Sequence, residues 1–315
     1  MVSWVEMVAS EGFPARSSDP LRVLVTGVTG KQGGSLAQLL VERGHHVRGL
    51  TRKPEGTAAT SLWQSGIEII AGDFENPSSV ESAARGCDVA YIVATPYEKG
   101  PDFETKGAIT ALNSARAAGV PYIVYTSVSD ADRKTGIPHF DSKAKVEQHL
   151  QRMGVDFSIV APVFFMENFT APWMGSGLAR GVVAMSLPGT RKLQSVAVRD
   201  IARFSTLAIE HRTTFRGKRV NIASDELSPI DMAGRLSAAT GRKVAFQEVP
   251  LDLVRKQSED SAKMFEWFNR VGYSADIPKL KRDYPSVGWL AFDAWAGSQD
   301  WKAILDASAH APGET

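Results

Sequence analysis

Apolar and polar positions change period repeatedly along the first half of the chain. Short apolar runs at Leu21–Thr26, His46–Thr51, Ile67–Ala71, Val89–Ala94, Tyr122–Thr126 and Phe157–Val160 read as strands. Between them, Gln32–Arg43, Ala58–Gln64, Ser78–Ala84, Phe103–Ala118 and Ser142–Met153 carry the spacing of amphipathic helices. Gly44, Gly66, Gly86, Gly119 and Gly154 each follow one of these helices and suit its C-terminal cap. Repeated strand–helix–strand units predict right-handed crossovers and a parallel sheet covered on both faces, a Rossmann-type doubly wound α/β fold. In such a sheet, ligands bind beyond the carboxyl ends of the strands.

After Pro162 the pattern changes. Phe164–Met174 is rich in aromatics and methionine. Shorter strand-like pieces follow at Val182–Leu187, Ser195–Val198 and Arg219–Ile222, then a helix near Pro229–Thr240 and a strand near Lys243–Val249. Helical pattern continues from Leu251 to Leu305. Asp200 stands where a helix N-cap would be expected. The expected division is a flexible extension over residues 1–20, a Rossmann domain over 21–161 and a smaller α/β portion over 162–306. That portion would lean over the sheet's C-terminal edge and could lend strands to it. A tail over 307–315 is expected to fray.

The first turn carries the chemistry. Gly27, Gly30 and Gly33 form G-x-x-G-x-x-G between the first strand and the first helix, a variant of the dinucleotide fingerprint. Glycines let the backbone approach a phosphate closely, and the helix N-terminus directs free N–H groups and a positive dipole end at it. Thr29, Lys31 and Gln32 belong to the same loop. Strand two ends at Thr51-Arg52-Lys53, where an NAD-selective site would place a carboxylate for the ribose 2′-hydroxyl. Arg52, with Lys31, instead suits a 2′-phosphate, so the expected cofactor is NADP(H). Asp73 and Phe74, after strand three, could meet the adenine, or Asp73 could cap the next helix. Thr95 and Pro96, after strand four, would pass under the pyrophosphate and ribose, and Tyr97 would point into the cleft or pack in its loop.

Composition narrows the classes. The 315 residues are 43% hydrophobic and 23% charged with net charge +1, which argues against a nucleic-acid surface. No apolar run is long enough to span a membrane, and residues 1–20 lack the pattern of a secretory signal. A cytoplasmic location is expected. Cys87 is the only cysteine and sits in an apolar run, so packing is its expected role; no cluster has metal-ligand spacing.

The glycine loop, Arg52, Gly72-Asp73, Ser127, the segment His139–Glu147 and Pro162–Phe169 together resemble the NmrA-like branch of the atypical short-chain dehydrogenases. The resemblance runs in order over roughly residues 21–300 and lies near isoflavone-reductase-like and NADPH-sensor members. It implies a cofactor-binding lysine at Lys143, a serine at Ser127 and nicotinamide contacts from Pro162 and Phe165. Ordinary members use Tyr-x-x-x-Lys; this chain has His139 in the tyrosine position and keeps Lys143.

Three readings follow. Lys143 transfers the proton, or His139 does so as a general acid, or the protein only senses the NADPH/NADP ratio. Each residue also has a plainer role open to it. Lys143 could be a surface charge, His139 a water-facing helix start, Ser127 a turn cap and Pro162–Phe169 core. The enzyme reading implies hydride transfer to a bulky apolar small molecule. Tyr97, Phe164, Met166, Phe169, Trp173 and Met174 would line its pocket, which would also permit natural-product tailoring with redox-linked cyclisation. A monomer or homodimer is expected.

Overall fold

The computed structural model describes residues 19–97 and 99–309. The expected N-terminal extension falls almost entirely outside them, as does the end of the tail. Residues 307–309 continue a helix, Trp301–Ala309.

The chain forms two compact units. The larger comprises residues up to Pro162 together with Val198–Asn221 and Lys281–Gly288. Its elements are β1 (Arg22–Val25), α1 (Lys31–Glu42), β2 (His46–Thr51), α2 (Thr57–Gln64), β3 (Glu68–Ala71), α3 (Pro77–Ala84), β4 (Val89–Ile92), α4 (Pro101–Ala117), β5 (Tyr122–Thr126), α5 (Pro138–Arg152) and β6 (Asp156–Pro162). Later elements, chiefly α6 (Val198–Glu210) and β7 (Arg219–Ile222), join them. The strands order as β7-β6-β5-β4-β1-β2-β3. The ladders β3–β2, β2–β1, β1–β4, β4–β5 and β5–β6 are all parallel. Strand order reverses between β1 and β4, which is the crevice where sheets of this kind bind ligands. The five glycines expected as caps all have positive φ.

Helices α4 and α5 and strands β4 and β5 enclose one apolar cluster that includes Ile92, Ala108, Leu112, Ile123, Tyr125, Val146 and Leu150. On the glycine-loop side, α1 packs along α6, and every residue of α6 except Arg199 is buried. Helix α6 also packs on β5 and β6, which is why residues 198–221 belong to this unit rather than to the contiguous second portion that the pattern suggested. Asp200 is the third residue of α6 rather than its N-cap, and its Oδ1 accepts from Arg199 Nε at 3.1 Å.

The second unit holds Val163–Ala197, Ile222–Leu280 and the chain from Trp289 onward. Strand Leu193–Val196 pairs antiparallel with Asp225–Leu227 and parallel with Phe164–Phe165, and Ala245–Glu248 pairs parallel with Val182–Met185. Helix Pro229–Thr240 starts with Ser228 and Asp231 satisfying each other's backbone N–H groups, a reciprocal cap. Phe169, Phe292, Trp295 and Trp301 meet ring to ring in its core.

Candidate functional site

The glycine turn bends at Gly27, where φ is +60°, a conformation that favours glycine. Gly30 N–H donates to Gly27 O at 2.9 Å and closes the turn. Helix α1 begins at Lys31 with Gly30 at its cap, so no side chain caps the first turn. Gly27, Thr29, Gly30 and Lys31 are exposed. Gly33 makes the close approach of helix to turn possible. A Cβ there would fall 2.8 Å from Gly27 C and 2.9 Å from Thr26 O. Gln32 is tied inward, its Nε2 donating to Tyr91 Oη at 2.8 Å. An exposed, glycine-built helix start at the switch point fits a pyrophosphate. Gly27, Gly30 and Gly33 would hold it, with Arg52 exposed just past the end of β2.

Beyond β3, Asp73 does not cap α3. Its Oδ1 accepts Glu75 N–H at 2.9 Å, while Asn76 takes the cap position and accepts Ser79 N–H at 3.3 Å. Phe74 lies against Gly107 of α4, where a Cβ would fall 3.1 Å from its ring, so part of that ring belongs to the core. After β4, Thr95 is exposed and Pro96 half-buried. Tyr97 is 88% exposed.

The three catalytic candidates sit differently from one another. His139 and Lys143 lie four residues apart on α5 and share a face of it. Lys143 reaches across to β4 and α4. Its Nζ donates to Ala94 O at 3.1 Å and to Glu104 Oε1 at 2.7 Å. It is therefore a buried-pair lysine, not a solvated surface charge. Ser127 is 5% exposed and donates its hydroxyl to Glu147 Oε1 of α5. The serine is thus committed to an interior carboxylate instead of capping a turn or standing free in the crevice. Glu147 Oε2 in turn accepts from Arg219 Nε on β7 at 2.8 Å.

Glu104, Glu147 and Tyr125 were not signalled by sequence. The two carboxylates stand on helices rich in charged residues, and nothing in a helical period separates a buried glutamate from a solvated one. Tyr125 is fully buried, and its hydroxyl has no partner among the described residues. Burial holds that phenol far above its usual pKa, with Glu104 and Glu147 adding to the effect. Tyr91 is also buried and is pushed up to about 12 by desolvation, against bonds with Ser205 and Gln32 that pull it down. None of the buried tyrosines on β4 and β5 presents a hydroxyl to solvent. They do not replace the tyrosine that His139 displaces.

In the second unit, Met166 and Phe169 are at most 1% exposed and Met174 is 8% exposed. Phe169 stacks edge-on with Phe164 and Phe292. Apolar side chains on a short 3₁₀ turn, Met166–Thr170, have built the unit's core, and the expectation that they line a pocket gives way to packing. Phe164 and Phe165 are half-buried, and Trp173 is 62% exposed. Pro162, at the end of β6, is buried. No group of three or more His, Cys, Asp or Glu side chains is placed to hold a metal ion among the described residues. None of the described helices is long and apolar enough to cross a membrane. Cys87 is buried, and desolvation pushes its thiol up.

The model of the NmrA-like family matches residues 20–296. The chain belongs to that family. Among its relatives, the (4-alkanoyl-5-oxo-2,5-dihydrofuran-3-yl)methyl phosphate reductase of Streptomyces griseus is 29% identical over 236 residues, spanning 74% of this chain and 79% of its own. Two solved structures share the fold. Triphenylmethane reductase of Citrobacter sp., complexed with NADP(H), matches with a TM-score of 0.70 at 19% identity, over 91% of this chain and 99% of its own. NmrA, a negative transcriptional regulator, matches at 0.76 and 18% identity, over 92% and 98%.

Proposed function

We propose that this NmrA-like protein is an NADP(H)-dependent oxidoreductase that reduces a bulky apolar small molecule. The observation that carries the reading is the glycine-built start of α1 at the β1/β4 switch point, with Arg52 exposed where an NAD-selective site would have a carboxylate. The reductase relative and the NADP(H)-bound reductase of the same fold support it. When bound, the cofactor would supply the hydride. The chain's own residues bind and orient it. Within the larger unit the turn would take the pyrophosphate, Arg52 and Lys31 the 2′-phosphate, and Asp73 and Phe74 would flank the adenine, with Thr95, Pro96 and Pro162 along the ribose and nicotinamide. Lys143 donates to the ribose, and His139, one turn before it, supplies the proton. In the second unit, Phe164, Phe165 and Trp173 are the partly exposed aromatics suited to an apolar substrate, an arrangement that also suits natural-product tailoring and redox-linked cyclisation. Action as a monomer or homodimer in the cytoplasm, without nucleic acid or membrane, completes the proposal.

The test is oxidation of NADPH, followed by its absorbance, against quinones, enones and aryl aldehydes. Turnover with at least one acceptor is expected; tight NADPH binding with no oxidation by any of them would favour a redox sensor. That second reading is favoured by His139 in the tyrosine position and by the fold shared with a transcriptional regulator. Arg52 gives a separate prediction. Arg52→Ala should weaken NADPH binding about tenfold to a hundredfold and leave NADH binding nearly unchanged, since a charge-assisted contact to phosphate is lost. An unchanged preference for NADPH would place the 2′-phosphate contact elsewhere.

A further inference from the structure

We propose that Glu104 is the positioning residue for Lys143, a buried carboxylate that fixes the ammonium at the carboxyl end of β4 with one N–H left for a bound ligand. The inference deepens the reading of Lys143 as a cofactor contact and rests on it. Glu104 is 1% exposed, on the inner face of α4. A carboxylate there is unfavourable unless paired and hydrogen-bonded. It has both kinds of partner. Lys143 Nζ lies 2.7 Å from Oε1, and the buried Ser142 hydroxyl donates to Oε2. Two adjacent residues of α5 thus grip one carboxylate of α4, 38 and 39 positions away in sequence.

The other candidate partner is already taken. Glu147 lies four residues beyond Lys143, at helical contact spacing, but its two oxygens serve Ser127 and Arg219. A lysine ammonium has three N–H donors. Glu104 takes one and Ala94 O takes the second at 3.1 Å. The long, flexible lysine stem is thereby held at a point just past the β4 end, beside the strand-order reversal where ligands of this sheet type bind. The side chain is 12% exposed, so the amine is withdrawn without being sealed off. The arrangement suits a lysine that donates from a fixed position more than one that sweeps through solvent.

The experiment needs no acceptor substrate. The full-length protein, free of cofactor, is treated with the N-hydroxysuccinimide ester of acetate at a fixed, mildly alkaline pH. Acetylation of Lys143 is then measured by peptide mass spectrometry against the exposed Lys145. Glu104→Gln keeps the size of the side chain and removes its charge. It should raise the Lys143:Lys145 rate ratio about tenfold, the scale of releasing the amine from one charge-assisted hydrogen bond. NADPH affinity, read by nicotinamide fluorescence, should fall by about the same factor. Glu104→Asp keeps the charge but shortens its reach, and serves should the glutamine variant fail to fold; with the 2.7 Å contact stretched, it should raise the ratio by roughly threefold. A merely structural glutamate would change stability without changing this ratio, and an unchanged ratio in the folded variants overturns the inference. Lys143→Ala separates it from the functional reading. Unchanged NADPH affinity there would remove Lys143 as a cofactor contact, and with it the proposed aim of the third N–H. Lost affinity in Lys143→Ala beside wild-type behaviour of both Glu104 variants would overturn the role of Glu104 alone.

Discussion

Gly33→Ala is expected to abolish NADPH binding at concentrations that saturate the wild type. The added Cβ would lie 2.8 Å from Gly27 C and 2.9 Å from Thr26 O, and closer still to Gly27 O. All three are backbone atoms of the turn itself, so no flexible side chain can swing aside. Helix α1 must then move off the end of β1, and the N–H groups of its first turn leave the position where they would converge on a phosphate. Overpacking of this kind costs about 1–3 kcal/mol in stability. A displaced cradle should weaken binding by at least about a hundredfold, since each 1.4 kcal/mol is a factor of ten. Gly30→Ala is the comparison. Its Cβ would have only Gly27 O nearby, at 3.3 Å, so a folded protein with a milder binding loss is expected. Fluorescence titration with NADPH and urea unfolding measure the two effects separately. Wild-type affinity in Gly33→Ala would show that the turn is not the phosphate cradle.

That prediction draws on the part of the molecule that was most legible in sequence. The strands through β6 and the five helices between them follow directly from period and punctuation, because local pattern determines where each element starts and stops. The switch point follows from repeated right-handed crossovers. What periodicity does not carry is pairing across distance. Arg219–Ile222 reads as a strand, but its place at the edge of the main sheet, beside β6, depends on a ladder between segments about sixty residues apart in sequence. Only a helix start at Asp200 was legible for α6, and nothing local marks that twelve of its thirteen residues are buried.

The site divides along the same line. Glycine spacing and the cation after β2 are local signals and could be read directly. The Lys143–Glu104 pair joins residues 39 apart, and α4 carries Asp102, Glu104 and Lys106 in one short stretch, where nothing marks the middle charge as the buried one. Aromatic richness at Phe164–Met174 has the opposite ambiguity. The same side chains suit an apolar pocket or a core, and Phe169 is drawn into the core by Phe292 and Trp295, more than a hundred residues further along the chain.

Glu210 shows the energetic weight of such distant pairing. Its carboxylate closes α6 onto the end of α1. Arg43 Nε and Nη2 donate to its two oxygens at 2.8 and 2.7 Å, and His45 Nε2 lies 3.0 Å from Oε1. The Glu210 and His45 side chains are no more than 1% exposed. His45 Nδ1 accepts Leu21 N–H at 3.1 Å, so the ring's proton sits on Nε2 and is donated to Glu210. Burial alone would raise the Glu210 carboxyl, but the bonds from His45 and Arg43, with the Arg43 charge, outweigh it and hold it below its usual 4.5.

The sign of the pH effect follows. A depressed carboxyl contributes stability that is fully present above 4.5 and is lost as pH falls through the lower folded value. Glu210→Ala removes an acceptor shared by the Arg43 guanidinium and the buried His45 imidazole, and should destabilise the protein by about 3–5 kcal/mol near neutral pH. Glu210→Gln, which keeps one acceptor oxygen but no charge, should cost less. Urea unfolding at several pH values checks both parts. The gap between wild type and Glu210→Gln should be constant above 4.5 and narrow below it, as the wild-type carboxyl takes up its proton. A gap that stays the same down to the acid limit of folding would mean that the charge on Glu210 contributes nothing, and that its oxygens serve only as hydrogen-bond acceptors.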